Sequence, residues 1–394
     1  MHRRYLLVQI GLLLGSLSGL TGRTVLSQSP PATSVLDDPL VRVEGRAGLD
    51  RLYDLDFAGA QQHFARIIHR YPDHPIGPFL TGLNLWWQIL LDLSDHSRDR
   101  AFYELMEAVL QRCERILRRD PDNLDALFFK SAALGFRGRL RANRGDWFQA
   151  ALDGKRALDA VMALARQRPQ NPDFRFGKAL YDYYAAVIPE RYPFVKPVMM
   201  LFPSGNREAG LRQLEATARH GYYIQPEAVY FLAQIYYLFE QDYARTIEHV
   251  RWLRTHFPNN GYFHALEGRV YVRWGYWQQG RQTFEAVLTR FQEGHRGYNA
   301  ALAEQALYFI ALSYMMERRY QMALDYLLKL EALTARHQAD TYFKVMGRLR
   351  QGMVYDALGQ REIAILRYRE VLQMKNFGRA HEWARRYLKT PYPG

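Results

Sequence analysis

Twelve histidines, one cysteine and 40 acidic residues are the material from which this 394-residue chain would have to build a metal or catalytic site. Their spacing does not build one. The zinc motif HExxH, which sets two histidines on one helix face, is absent. His63 and His69 lie six apart, on different faces of a helix, and His69 and His74 straddle a turn. The stretch "DPDNLD" (120–125) has acidic spacing like a calcium loop, yet lacks the sixth-position glycine and the distal glutamate. It reads better as a turn in which Asp122 or Asn123 caps the next helix. Neither a GxSxG elbow nor a phosphate-cradling GxxxxGK[ST] loop is present. Cys113 sits in a helical pattern as a small hydrophobe, and with no second cysteine it forms no internal disulfide. Asp54 and Asp56 form a carboxylate pair of a kind common on surfaces. The chain is therefore read as a non-enzyme with no cofactor and no metal.

Composition narrows the classes further. Hydrophobic content of 48% with 14% aromatic residues excludes a disordered protein. The net charge is +13, which raises the question of anionic partners. Only 8 of the 53 basic residues are lysine, and the arginines are dispersed among acidic residues without forming runs. That pattern reads as a solvated surface, and no nucleic-acid partner is expected from it.

The first residues have the layout of a secretory signal peptide. Arg3 and Arg4 precede an apolar stretch from Leu6 to Leu20, and Val25-Leu26-Ser27 supplies the small-residue cleavage site before Gln28. The alternative is a retained membrane anchor, but the run is interrupted by Gln9 and falls short of the roughly 20 residues a span requires. Residues 1–27 are thus expected to be removed, 28–45 to form a flexible tether, and 46–390 to fold.

Helical periodicity dominates that folded part, punctuated by Pro-Asp and Pro-Asn turns such as "YPDHP", "RDPDNLDA" and "HFPNNG". A small residue followed three positions later by Tyr or Leu recurs at Gly82, Ser131, Gly177, Ala233, Gly268, Ala311 and Gly352. Pro72, Pro121 and Pro258 each stand ten residues before a member of that series. Second helices follow, with patterns such as Ala60-Phe64-Ile67, Gly280-Phe284-Val287 and Ala364-Tyr368-Val371.

These units resemble tetratricopeptide repeats (TPRs), of the type found in exported bacterial proteins. "QGMVYDALGQREIAILRYREVLQMKN" (351–376) follows the motif from end to end. The resemblance implies an all-α, right-handed solenoid of about seven helix pairs, and a scaffold that binds a protein or peptide in its concave groove. A generic helical bundle is the alternative fold. Within such a groove, residues one turn from the small positions share the inner face. They are Tyr230, Gln234, Tyr237, Arg269, Arg273, Tyr308 and Met315, unless the tyrosines only pack between neighbouring first helices. An irregular proline-rich apolar insertion near 189–206 reads either as a packed connector or as a contact surface through Phe194, Met199, Met200 and Phe202.

The favoured function is an exported scaffold in the periplasm or cell envelope with a protein or peptide partner. A rival is an envelope protein that binds acidic glycan or lipid headgroups, and a divergent enzyme stands third. Mass spectrometry of the protein from its native host should find the mature chain beginning at Gln28, and a soluble product that keeps Met1 would refute export.

Overall fold

The computed structural model describes residues 34–193, 196 and 202–394. Among the described residues all regular structure is helical. The chain divides into two compact units, Met1–Gln241 and Asp242–Gly394.

In the first unit a single 3₁₀ turn (Val35–Asp37) leads into α1 (Pro39–Tyr53) and α2 (Phe57–Arg70). Three more hairpins follow: α3 (Ile76–Leu91) with α4 (Asp99–Leu117), α5 (Leu124–Arg144) with α6 (Trp147–Gln167), and α7 (Pro172–Arg191) with α8 (Arg207–His220). The unit closes with α9 (Gln225–Ile235), which ends in a π turn over Tyr236–Glu240.

The second unit opens with α10 (Tyr243–His256) and contains three hairpins. They are α11 (Gly261–Trp274) with α12 (Trp277–Gln292), α13 (Ala300–Met316) with α14 (Tyr320–Thr334), and α15 (Tyr342–Ala357) with α16 (Arg361–Gln373); α17 (Ala380–Lys389) ends the array.

Local chemistry sets the helix boundaries. Asp38, Asp56, Asn123, Asn206, Asn260 and Asn299 each accept a backbone N–H of the first turn, which satisfies a donor that the helix cannot. The expected cap at Asn123 is among them: its Oδ1 accepts from the Ala126 N–H at 3.1 Å. In several hairpins one residue between the helices is left-handed, two positions before the second helix. Gly275 (φ +91°) and Gly359 (φ +74°) hold it at little cost, whereas Leu55 and Arg318 hold it with a side chain.

Packing inside each hairpin follows the small residues. A Cβ on Gly268 would lie 2.8 Å from Cε2 of Phe284, and one on Gly352 would lie 2.5 Å from Cε1 of Tyr368. The ring of the second helix rests where a side chain of the first would be, so the pair is a TPR-like hairpin. First helices also lie against one another, α11 on α13, α13 on α15 and α15 on α17, so each hairpin buries its apolar face on the next. The array is all-helical and solenoid-like.

Two expectations are corrected. The stretch 34–45 is no tether, because Pro39 starts α1 behind the Asp38 cap and Val35, Leu36 and Val41 are buried. That helix carries a crossing of its own, where Phe64 occupies the space beside Gly48. In α5 the expected crossing residue, Ser131, is only half-buried. The close approach comes two turns later, where a Cβ on Gly138 would lie 3.3 Å from the Ala150 carbonyl oxygen, because α5 and α6 are each 21 residues long.

The insertion also begins later than its prolines indicate. Pro189 lies within α7, near its C-terminal end. Phe194, Met199 and Met200 fall outside the described residues. Phe202 is buried, and the Tyr181 hydroxyl donates to the Pro203 carbonyl at 2.6 Å, so the returning limb lies on α7. Phe202 is therefore a packing residue and not an exposed contact.

Gly268→Leu should force Phe284 off its resting place at a cost of about 1–3 kcal/mol. A thermal melt followed by circular dichroism reads this as a lowered midpoint, and an unchanged midpoint would refute the crossing.

Candidate functional site

The close packing of first helices determines what becomes of the seven expected groove residues. Tyr230, Gln234, Arg269, Tyr308 and Met315 are buried. In the first unit, Arg139 donates to the Tyr230 hydroxyl at 3.0 Å and stands 5.4 Å from its ring centroid. In the second, Arg269 donates to Oε1 of Gln305 at 2.7 Å, and Tyr308 packs on Phe309 and Phe343 with centroids 5.4 and 5.5 Å away. Tyr237 and Arg273 are half-buried, and Arg273 Nε donates to the Tyr243 hydroxyl at 3.1 Å. Neighbouring first helices are close enough to fill the inner face with their own side chains, so five of the seven are core and not groove lining.

In the first unit this filling brings together distant parts of the chain. The Tyr53 hydroxyl donates to Glu227 at 2.9 Å, Arg46 donates to the Tyr222 carbonyl at 2.8 Å, and the Tyr223 hydroxyl donates to the Leu36 carbonyl at 2.7 Å. Burial pushes the Glu227 carboxyl up from its usual range, against the opposing pull of Arg139 and the Tyr53 hydroxyl. The Tyr53 phenol is raised too, first by burial and then by Glu227. A buried carboxyl beside a phenol can resemble acid–base machinery. Here both groups are enclosed by Trp87 and Tyr230, and they tie α1 to α9.

Two arrangements in the second unit remain reachable from solvent. The first lies at the turns between first and second helices. Trp274 and Tyr276 are 37% and 45% exposed on either side of Gly275, with ring centroids 4.9 Å apart. Met316, at the equivalent end of α13, is 61% exposed. Arg281 joins neighbouring turns, because it comes from α12, donates to Glu317 at 2.6 Å and lies 4.5 Å from the Tyr314 ring centroid.

The second arrangement surrounds Arg350 on α15. Its Nη1 contacts the Met353 sulfur at 3.1 Å, the Tyr308 hydroxyl is a further partner, and its Nε is enclosed without any acceptor. Tyr342, Tyr387 and the half-buried Tyr392 stand near its charge, and no carboxylate among the described residues pairs with it. Sequence reasoning missed Arg350, Trp274, Tyr276 and Met316. The turn residues flank an expected Gly or end an expected helix, and their exposure was the signal that no sequence pattern carries. Among the described residues there is no cluster of three or more metal-ligating side chains, and no helix long and apolar enough to cross a membrane.

No protein-family model matches the sequence, and no curated protein matches it. Among solved structures the chain is similar to a human IFIT1 dimer with m7Gppp-AAAA, at 13% identity and a TM-score of 0.47, over 89% of this chain and 86% of that one. It is also similar to the P58(IPK) TPR domain, at 14% identity and a TM-score of 0.25, over 89% of this chain and 88% of that one. At identities and TM-scores this low, neither likeness bears on what this chain binds.

One buried group gives the second unit a pH dependence. Burial, reinforced by the charges of Arg254 and Arg290, lowers the His264 imidazole to about 3. Arg290 donates to the Tyr298 hydroxyl at 3.2 Å, and that hydroxyl lies 2.9 Å from Nδ1 of His264. Protonating the ring would place a buried cation beside the two arginines. Because the folded value lies below the unfolded 6.5, this stability is complete above pH 6.5 and is lost as pH falls. Between pH 7 and pH 5 the loss should reach roughly 2 kcal/mol. Urea melts at both pH values should show a smaller drop for His264→Gln than for the wild type, and equal drops would contradict the assignment.

Proposed function

We propose that this chain is a helical-repeat scaffold that binds a segment of a partner protein and does not transform a substrate. The observation that carries this reading is the set of exposed Trp274, Tyr276 and Met316 on adjacent turns of a rigid array. Aromatic residues, and arginines beside them, dominate the energetics of protein interfaces. Removing two exposed rings and a thioether from water gives a partner a gain of about 1.5–3 kcal/mol for each fully buried side chain. Stacked hairpins hold the turns in place, so little ordering entropy opposes binding.

Export belongs to the same proposal. It is supported by the Arg3-Arg4 start, the short apolar run and the Val25-Leu26-Ser27 site, and it would place the scaffold in the periplasm or at the cell envelope. The rival reading, an envelope protein for acidic glycan or lipid headgroups, is supported by the +13 charge.

Capture from envelope fractions by crosslinking separates these readings. Trp274→Ala combined with Tyr276→Ala should reduce partner recovery tenfold or more while leaving the helical content unchanged. Recovery should also survive roughly 0.5 M salt, which would release an anionic polymer held by dispersed charge. Undiminished capture by the double variant would remove the turn surface from consideration, and release by salt would favour the rival.

A further inference from the structure

First helices of the second unit close against one another, whereas the second helices α12 and α14 each pack on α13. The space left between α12 and α14 is a cleft of about 540 Å³. That lies within the roughly 300–1,000 Å³ usual for small-molecule sites. Helical spacing builds its walls, with Glu285, Leu288 and Gln292 along α12 and Tyr326, Lys329 and Leu333 along α14. Buried Leu307 of α13 and half-buried Phe291 complete the apolar lining. Leu288, Tyr326 and Leu333 are also half-buried, so each keeps part of its apolar surface uncovered.

The charged groups of this cleft differ in how they are satisfied. Lys329 pairs with Asp325 at 3.6 Å and stands 4.7 Å from the Tyr326 ring centroid. Tyr326 is in turn stacked on Tyr314, with centroids 5.6 Å apart. Glu285 is half-buried, and among the described residues no hydrogen bond or ion pair engages its carboxylate. Arg281, one turn earlier, acts on it only through its charge, because that guanidinium is committed to Glu317 at 2.6 Å. Burial therefore holds the Glu285 carboxyl above its usual range, against the partial pull of Arg281.

A partly dehydrated carboxylate among aliphatic and aromatic walls is the complement of an ammonium group on an apolar body. The cation returns to the carboxylate the stabilisation that burial removed. Ring faces attract the same charge, and the aliphatic walls cover the rest of the molecule. An anion would be repelled by Glu285. A neutral apolar molecule would bury that carboxylate further and leave it unpaired, which is costly. We propose that the cleft between α12 and α14 binds a small organic ammonium, with Glu285 as counter-charge and Phe291 and Tyr326 as aromatic walls. This goes beyond the scaffold reading and involves none of the residues of the Trp274–Tyr276 turn.

Isothermal titration calorimetry of the full chain tests the site, with tryptamine as the probe and tryptophol as its uncharged counterpart. Tryptamine should bind with a dissociation constant below about 1 mM. Tryptophol should bind at least tenfold more weakly. Glu285→Gln should weaken tryptamine tenfold or more and leave tryptophol nearly unchanged. No binding of tryptamine, equal affinity for the two probes, or a variant that binds tryptamine as the wild type does would each overturn the proposal. A carbon NMR titration of the Glu285 carboxyl in the wild-type chain gives a readout that needs no variant. Tryptamine should move its midpoint to lower pH, because a bound cation favours the carboxylate. An unmoved midpoint would show that the amine binds elsewhere, and would equally overturn the site.

Discussion

Two helix axes can approach closely only where one helix has almost no side chain, and this architecture depends on that constraint. At Gly268 and Gly352 the aromatic ring of the second helix fills the position of the missing Cβ. Filling that contact brings the hairpin to its working distance and turns the remaining apolar surface outward, toward the next hairpin. First helices then meet side by side, and the core runs along the array instead of gathering at one centre. The left-handed residue at Gly275 or Gly359 belongs to the same device, since it reverses the chain within the few residues that close approach permits.

The arginine excess has a structural meaning that composition alone conceals. Arg112 donates to the carbonyls of Pro72 and His74, Arg144 reaches the Leu93 and Asp95 carbonyls as well as Asp99, and Arg290 reaches the Pro258 carbonyl. Each fastens a turn that secondary structure leaves unsatisfied, which a five-donor fork does better than an ammonium group. Buried clusters repeat the theme. Asp153, fully enclosed, accepts from Arg137 at 2.6 Å and from Arg141 at 2.6 Å, and breaking such a pair costs about 3–5 kcal/mol. Part of the charge that reads as a solvated surface is therefore internal strutting.

A scaffold of this kind separates rigidity from recognition. Its inner face is largely consumed by self-packing, as the burial of Tyr230, Arg269 and Tyr308 shows. Among the described residues, exposed apolar side chains remain at the hairpin turns, at Trp274, Tyr276 and Met316.

The sequence by itself determined the helical class, the hairpin unit, the capping turns such as Asn123 and the crossings at Gly268 and Gly352. All of these follow from local spacing, where a residue and its partner lie within one repeat. Tertiary structure alone decided which inner-face residues are open, because exposure depends on how closely one first helix approaches the next. It also decided that 34–45 folds, since Leu36 meets Tyr223 across nearly two hundred residues of chain. The shift of the α5 crossing from Ser131 to Gly138 has the same origin. Lengthened helices keep the facing side but move the point of contact, and sequence periodicity records the face without the height.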